Sequence, residues 1–266
     1  MLKKLSLAIL ALFIMVVATG VAIVKYNQYQ NLQLLFKDEL DGRLIPHKAN
    51  HLGKLESIFD RGIRSFELDL MFKQKGEQGY FEIGHDDKEA KGRTFESYLA
   101  LLQPYPIKKI WIDVKNIDEN NADAVLAHLE FLDQKYSIKP ILLLESSTTS
   151  VLFQNFSKAG YHTSYYLPTA VINNLIEQND PQALQLEAQR IHNLTLTQSL
   201  SAVSFAASLY PFVKTYLEPL ISDNVVYHTW NIIMFKEYRA LEQLKEKAIF
   251  KDPRIKTIIY SYHYIS

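Results

Sequence analysis

The sequence has no cysteine in 266 residues. Disulfide staples and thiolate metal sites are therefore excluded, and any metal would have to be held by histidine and carboxylate side chains. An excess of charge is missing too. Lysine and arginine together number 29, as do aspartate and glutamate, so there is no global positive field of the kind that holds nucleic acid. Neither a glycine-rich phosphate loop nor a Gly-x-Ser-x-Gly elbow occurs, and there is no internal repeat or low-complexity segment.

Charge is absent in a more local sense at the N-terminus. "MLKK" is followed by "LSLAILALFIMVVATGVAIV", residues 5–24, an uncharged run about as long as the ~20 residues needed to cross a bilayer core. It reads as a signal anchor within residues 1–25, with a cleavable signal peptide as the alternative. Lys3 and Lys4 ahead of the run favour a cytoplasmic N-terminus. The remainder would then lie outside the cytoplasm, in the periplasm if the source is bacterial. Residues 26–41 read as a polar spacer, and residues 42–266 as one domain.

Within that domain, apolar bursts alternate with amphipathic stretches. The bursts are "RLIPH" (43–47), "SFELDLMF" (65–72), "KIWIDV" (109–114), "PILLLES" (140–146), "YHTSYYL" (161–167), "SAVSF" (201–205), "VVYHTW" (225–230) and "KTIIYSY" (256–262). Segments such as "LGKLESIFDRG", "NADAVLAHLEFLDQKY", "SLYPFVKTYLEPLI" (208–221) and "IIMFKEYRALEQLKEKA" carry apolar residues at helical spacing between them. Gly62 and Gly160 stand where helix-ending glycines belong. Eight strands alternating with helices predict a parallel α/β sheet closed into a (β/α)8 TIM barrel, preceded by the transmembrane helix. "GYFEIGHD" is the exception and reads as a hairpin extension of the second strand.

Side chains on a strand alternate between faces, so Glu67 and Asp69 share one face while Phe66, Leu68 and Leu70 share the other. With the apolar face packed on outer helices, the carboxylates point inward toward the C-terminal mouth, where barrel enzymes keep their active sites. In "KIWIDVK" the same alternation puts Asp113 and Lys115 on the inward face. His47 ends the first strand and His85 the hairpin. Buried charges must be paired or bind metal, and one lysine cannot neutralise Glu67, Asp69 and Asp113 together. The surplus suits one hard divalent cation, Mg²⁺ or Ca²⁺, bound through oxygen. Two flanking histidines are natural proton-transfer groups.

The pattern "HKAN…FELDLMF…EIGHDD…WIDVK" resembles the signature of the glycerophosphodiester phosphodiesterase and PI-PLC-like superfamily. It is most similar to the sphingomyelinase D-like and menorin-like branches, which share His-x-x-Asn at the first site and Asp-x-Lys at the third. The resemblance implies that His47 and His85 are the acid/base or nucleophilic pair and that Glu67, Asp69 and Asp113 are metal ligands. It also implies that Lys115 contacts a phosphate oxygen, with Asn50, Lys48 and Trp230 on the substrate side. The implied substrate is a phospholipid or other phosphodiester, met at the membrane to which the N-terminal helix tethers the barrel, and no nucleic-acid partner is implied. Lys48 stands where glycerophosphodiesterases carry arginine. No cysteine is present for the catalytic-loop disulfide of sphingomyelinase D-like toxins.

Two other readings follow from the same residues. Glu145 ends the fourth strand, where some barrel glycosidases keep an acid, but "VVYHTW" supplies no second carboxylate across the cleft. Glu145 is expected on the rim of the site or behind it. The remaining alternative is a membrane-anchored barrel that keeps the metal site and binds without turnover. His228 shares a face with Trp230 and lines the pocket or packs in the core; His51, His162 and His263 read as structural.

Overall fold

The computed structural model describes residues 13–23, 42–76, 78–146, 152–230 and 247–262. All eight expected strands form. They are β1 (Leu44–Pro46), β2 (Ser65–Lys75), β4 (Lys109–Val114), β5 (Leu142–Ser146), β6 (His162–Tyr166), β7 (Ala202–Ala206), β8 (Val226–Trp230) and β9 (Ile255–Tyr260). The hairpin strand β3 (Gln78–Ile83) runs antiparallel to β2, and the other pairings are parallel.

The strand order is β1-β9-β8-β7-β6-β5-β4-β2-β3. Without the hairpin, its ends are β1 and β2, and the backbone joins them where Ala49 N–H donates to the Glu67 carbonyl at 2.8 Å. The sheet therefore closes on itself, as the alternation predicts. One backbone bond in place of a full ladder makes β1–β2 the seam.

The helices include α1 (residues 13–23), α2 (Leu52–Asp60), α3 (Phe95–Leu102), α4 (Ala122–Tyr136), α5 (Phe153–Lys158), α6 (Thr169–Glu177) and α7 (Pro181–Thr197), with a short one over Ala248–Lys251. Each barrel helix buries one stripe, such as Leu55, Ile58 and Phe59 of α2 or Val125, Leu129 and Leu132 of α4. Thr94 and Asp180 cap α3 and α7 by accepting from Ser97 N–H and Ala183 N–H. Gly62 and Gly160 take φ of +78° and +88° just past α2 and α5, the left-handed stop their positions predict.

The expected helix over 208–221 is instead a helical segment, 207–217, that passes through 3₁₀, α and π turns in succession. The helix expected over 232–248 falls almost wholly outside the described residues, as does His263. Most of the membrane span expected at residues 5–24 is outside them as well. Its described part, α1, has exposed side chains, and among the described residues no helix is long and apolar enough to cross a membrane.

Two apolar layers result from the strand alternation. Phe66, Leu68 and Leu70 are fully buried in the large cluster between sheet and helices. Inside the barrel, Ile45, Trp111, Leu143 and Ile259 form a small second cluster, with Trp230 packed against it. This inner plug is the floor on which the polar site rests.

Candidate active site

The parallel register sets Asp69 of β2 beside Asp113 of β4, and Asp113 beside Glu145 of β5. Neighbouring strands lie about 4.8 Å apart, so three carboxyl-bearing residues form one row across the barrel. Glu67 sits two residues before Asp69 on the same face. Glu67, Asp69 and Glu145 are all buried, as is the Asn50 amide.

Lys115 holds the middle of this row. Its Nζ lies 2.7 Å from Asp69 Oδ1 and 2.5 Å from Asp113 Oδ2. Burial alone would lower the lysine pKa, but the two carboxylates outweigh it and the pKa rises. Asp69 is likewise opposed by burial, yet the charge and hydrogen bond of Lys115 and the hydrogen bond from Asn50 bring its pKa below the usual value. Asp113 goes the other way: burial dominates and raises it despite Lys115.

Glu67 is held by a backbone donor. Lys48 N–H reaches Glu67 Oε2 at 2.6 Å, a contact made possible by a left-handed Lys48 with φ of +53°. Burial and the neighbouring Asp69 charge push the Glu67 carboxyl well above its ordinary pKa. Glu145 is raised for the same reasons, burial first and the Asp113 charge second, and it accepts a hydrogen bond from the Ser204 hydroxyl. The pocket is short of positive charge for its carboxylates.

His47 closes one side, with Nε2 3.7 Å from Glu67 Oε2 and a side chain still 43% exposed. Its pKa is pushed down to about 4, mainly by burial; Asp69 opposes this, while Lys48, Lys54 and Lys115 add to it. At neutral pH the ring is an unprotonated base that a substrate can reach. His85 follows β3, is exposed, and its charge acts on Asp113. His47 thus borders the carboxylate row, and His85 lies near enough to act electrostatically on Asp113.

The loop carrying His85 is tightly bound to the row. Gly84 N–H donates to the Asp69 carbonyl at 3.0 Å, and a Cβ on Gly84 would come within 2.6 Å of Ala90 N and 2.8 Å of Glu89 C. Both are backbone atoms with little room to yield. Gly84→Ala is expected to cost roughly 1–3 kcal/mol through overpacking, measured by urea unfolding, and to lower activity in the protein that remains folded.

Asn50 spends both ends of its amide on Asp69: Nδ2 donates to Oδ2 at 2.9 Å and Oδ1 accepts from Asp69 N–H at 3.1 Å. It orients that carboxylate, and its second N–H remains available as a donor. The expected cation site on Glu67, Asp69 and Asp113 has the right oxygen donors, but among the described residues no three His, Asp or Glu side chains converge as a ready metal cage. The Lys115 ammonium bridges Asp69 and Asp113.

Lys48 lies against the carboxylate row and Trp230 against the inner plug. Lys48 Nζ is 3.7 Å from Asp69 Oδ2 with 39% of its side chain exposed. The Trp230 ring stacks on Tyr166, centroids 4.7 Å apart and planes at 22°. His228 instead lines a cavity at the opposite end of the barrel.

Several contributors were not singled out from the sequence. Lys54 Nζ donates to the His47 carbonyl at 2.5 Å and its charge bears on Glu67 and Asp69. Tyr98 OH donates to the Asn50 carbonyl at 3.0 Å. Ser204 is in phase with the inward face of β7 and could have been read from alternation. Lys54 and Tyr98 come from helices that carry no such signal.

No protein-family model and no curated protein matches the chain. Solved structures do. A glycerophosphodiester phosphodiesterase from Parabacteroides distasonis aligns over 83% of this chain and 92% of its own, with TM-score 0.53 and 11% identity. An Oleispira antarctica phosphodiesterase in complex with the product sn-glycerol-3-phosphate aligns over 82% and 92%, with TM-score 0.54 and 11% identity. A Ca²⁺-dependent phosphatidylinositol-specific phospholipase C from Streptomyces antibioticus aligns over the same shares, with TM-score 0.50 and 11% identity. The likeness shows that this chain shares the barrel fold of these phosphodiesterase structures.

Proposed function

We propose that this chain is a phosphoric diester hydrolase, or a lyase releasing a cyclic phosphate, acting on glycerophosphodiesters or phospholipids. The observation that carries the reading is the row of carboxylates bridged by Lys115, with an uncharged, accessible His47 beside it, at the C-terminal mouth of a barrel shared with known phosphodiesterases.

His47 takes the proton of the attacking hydroxyl, since its ring is neutral at working pH. His85, on the loop after β3, protonates the leaving oxygen. Lys115 supplies a fixed positive charge to the phosphoryl oxygens as negative charge builds on them. Asn50 holds Asp69 in position. The Trp230–Tyr166 stack offers an apolar wall for the non-phosphate part of the substrate.

Glu67, Asp69 and Asp113 would hold one Mg²⁺ or Ca²⁺, which when bound offsets phosphoryl charge as a Lewis acid. The high pKa of Glu67 and Asp113 is the sign of a charge deficit that a cation would relieve. Residues 5–24 belong to the same reading as a membrane anchor that keeps the barrel outside the cytoplasm and its mouth near lipid.

The test is phosphorus NMR of the full chain in detergent with glycerophosphodiesters, lysophospholipids and sphingomyelin, with each cation and with chelator. Loss of a diester signal that depends on His47 supports the reading and identifies the head group. Saturable cation binding without diester loss would replace it with a barrel that binds only.

A further inference from the structure

A cavity lies at the end of the barrel opposite the carboxylate row. It has a volume of about 330 Å³ and is bounded by Lys109, the first residue of β4, His162, the first residue of β6, and Val226, the first residue of β8. That volume is in the range of small-molecule sites. The apolar plug of Ile45, Trp111, Leu143 and Ile259 sits above it, so it is separate from the carboxylate row.

Its titratable lining is all of one sign: Lys108, Lys109, Lys256, His162 and His228, with no aspartate or glutamate among the described residues that bound it. Lys109 Nζ donates to the Gly42 carbonyl at 2.9 Å and to Thr257 Oγ1 at 2.8 Å. Both partners are neutral. An ammonium has three donors, so one remains for a ligand, and a half-buried cation without a carboxylate calls for an anion. His228 is 4% exposed, and its buried Nδ1 has no hydrogen-bond partner. Burial, then the charges of Lys109 and His162, hold that ring well below its ordinary pKa, and burial alone lowers Lys109 to about 8. A bound dianion would raise both pKa values by favouring the charged forms.

We infer that this cavity is an anion site for phosphate or a phosphomonoester, with Lys109, Lys256 and the His228 ring as its donors. A dianion matches several cationic groups better than a single carboxylate does. The site is independent of the diester chemistry at the mouth.

The experiment is histidine side-chain NMR on the full chain, titrated with inorganic phosphate and separately with glycerol 3-phosphate, in chelator. Saturable shifts of the His162 and His228 signals with either probe, retained in His47→Ala, are expected. Lys256 is exposed, so Lys256→Glu should fold normally and weaken binding at least about tenfold, or 1.4 kcal/mol, with Lys256→Gln between the two. Diester turnover should be unchanged in both variants. The inference is overturned if only His47 and His85 respond, if the shifts never saturate, or if Lys256→Glu binds as tightly as the unaltered chain.

Discussion

His47→Ala is expected to lower diester turnover by about 10²–10⁴-fold, the usual contribution of a positioned proton-transfer group, with little change in stability. The side chain is 43% exposed and its ring lies 3.7 Å from Glu67, so its loss leaves neither a large cavity nor a broken hydrogen bond. Turnover falls because, among the described residues, no other histidine stands at that edge of the row. A ring titration by NMR should place the His47 midpoint near the value of about 4 that burial imposes. A midpoint near 6.5, the ordinary value, would show that the ring is solvated and not held neutral by the site. The sign for stability follows from linkage. The unfolded chain binds this proton near pH 6.5 and the folded chain only near 4, so the group destabilises the fold as pH falls through that window and contributes nothing above it. If His47→Ala turns over diesters at the unaltered rate, the base lies elsewhere and the proposed assignment of both histidines falls with it.

The parts that were legible in the sequence are those set by alternation. "SFELDLMF" and "KIWIDV" could bury Phe66, Leu68 and Ile112 outward only by turning Glu67, Asp69 and Asp113 inward. The barrel and its carboxylate row follow from that single constraint. The role of Asn50 was not legible, because a spacing of three residues after His47 does not say whether an amide faces substrate or Asp69. That choice is made by the left-handed turn at Lys48, which brings the loop back over β2. Nor does alternation show how one ammonium divides itself between Asp69 and Asp113, since this depends on the reach of a four-carbon side chain. The inner plug was hidden as well: Trp111 and Leu143 look like ordinary strand residues, and only closure of the sheet shows that they partition the interior into two polar ends.

Lys115→Met should separate the charge contribution of this lysine from its contribution to chemistry. The ammonium is the only cation within hydrogen-bond distance of both Asp69 and Asp113 among the described residues. Removing one partner of such a buried pair leaves the carboxylates uncompensated, and a loss of about 3 kcal/mol is expected at pH 7. The loss should shrink on acidification. Without Lys115 the folded pKa of both aspartates rises above the unfolded value, so the penalty is full above the folded pKa and fades as the groups take up protons. Thermal melting at pH 7 and pH 5 checks this sign. Adding Mg²⁺ or Ca²⁺ supplies the second readout. If Glu67, Asp69 and Asp113 form a cation site that Lys115 partly fills, the ion should stabilise Lys115→Met more than the unaltered chain. Turnover should nonetheless stay down by about 10²–10³-fold, since the contact to the phosphoryl oxygens is not restored. A variant that ignores both cations would remove the metal from the proposed chemistry and leave a site that works by histidines and lysine alone. A variant that recovers full turnover with cation would instead make Lys115 a place-holder for the ion, with no contact of its own to substrate.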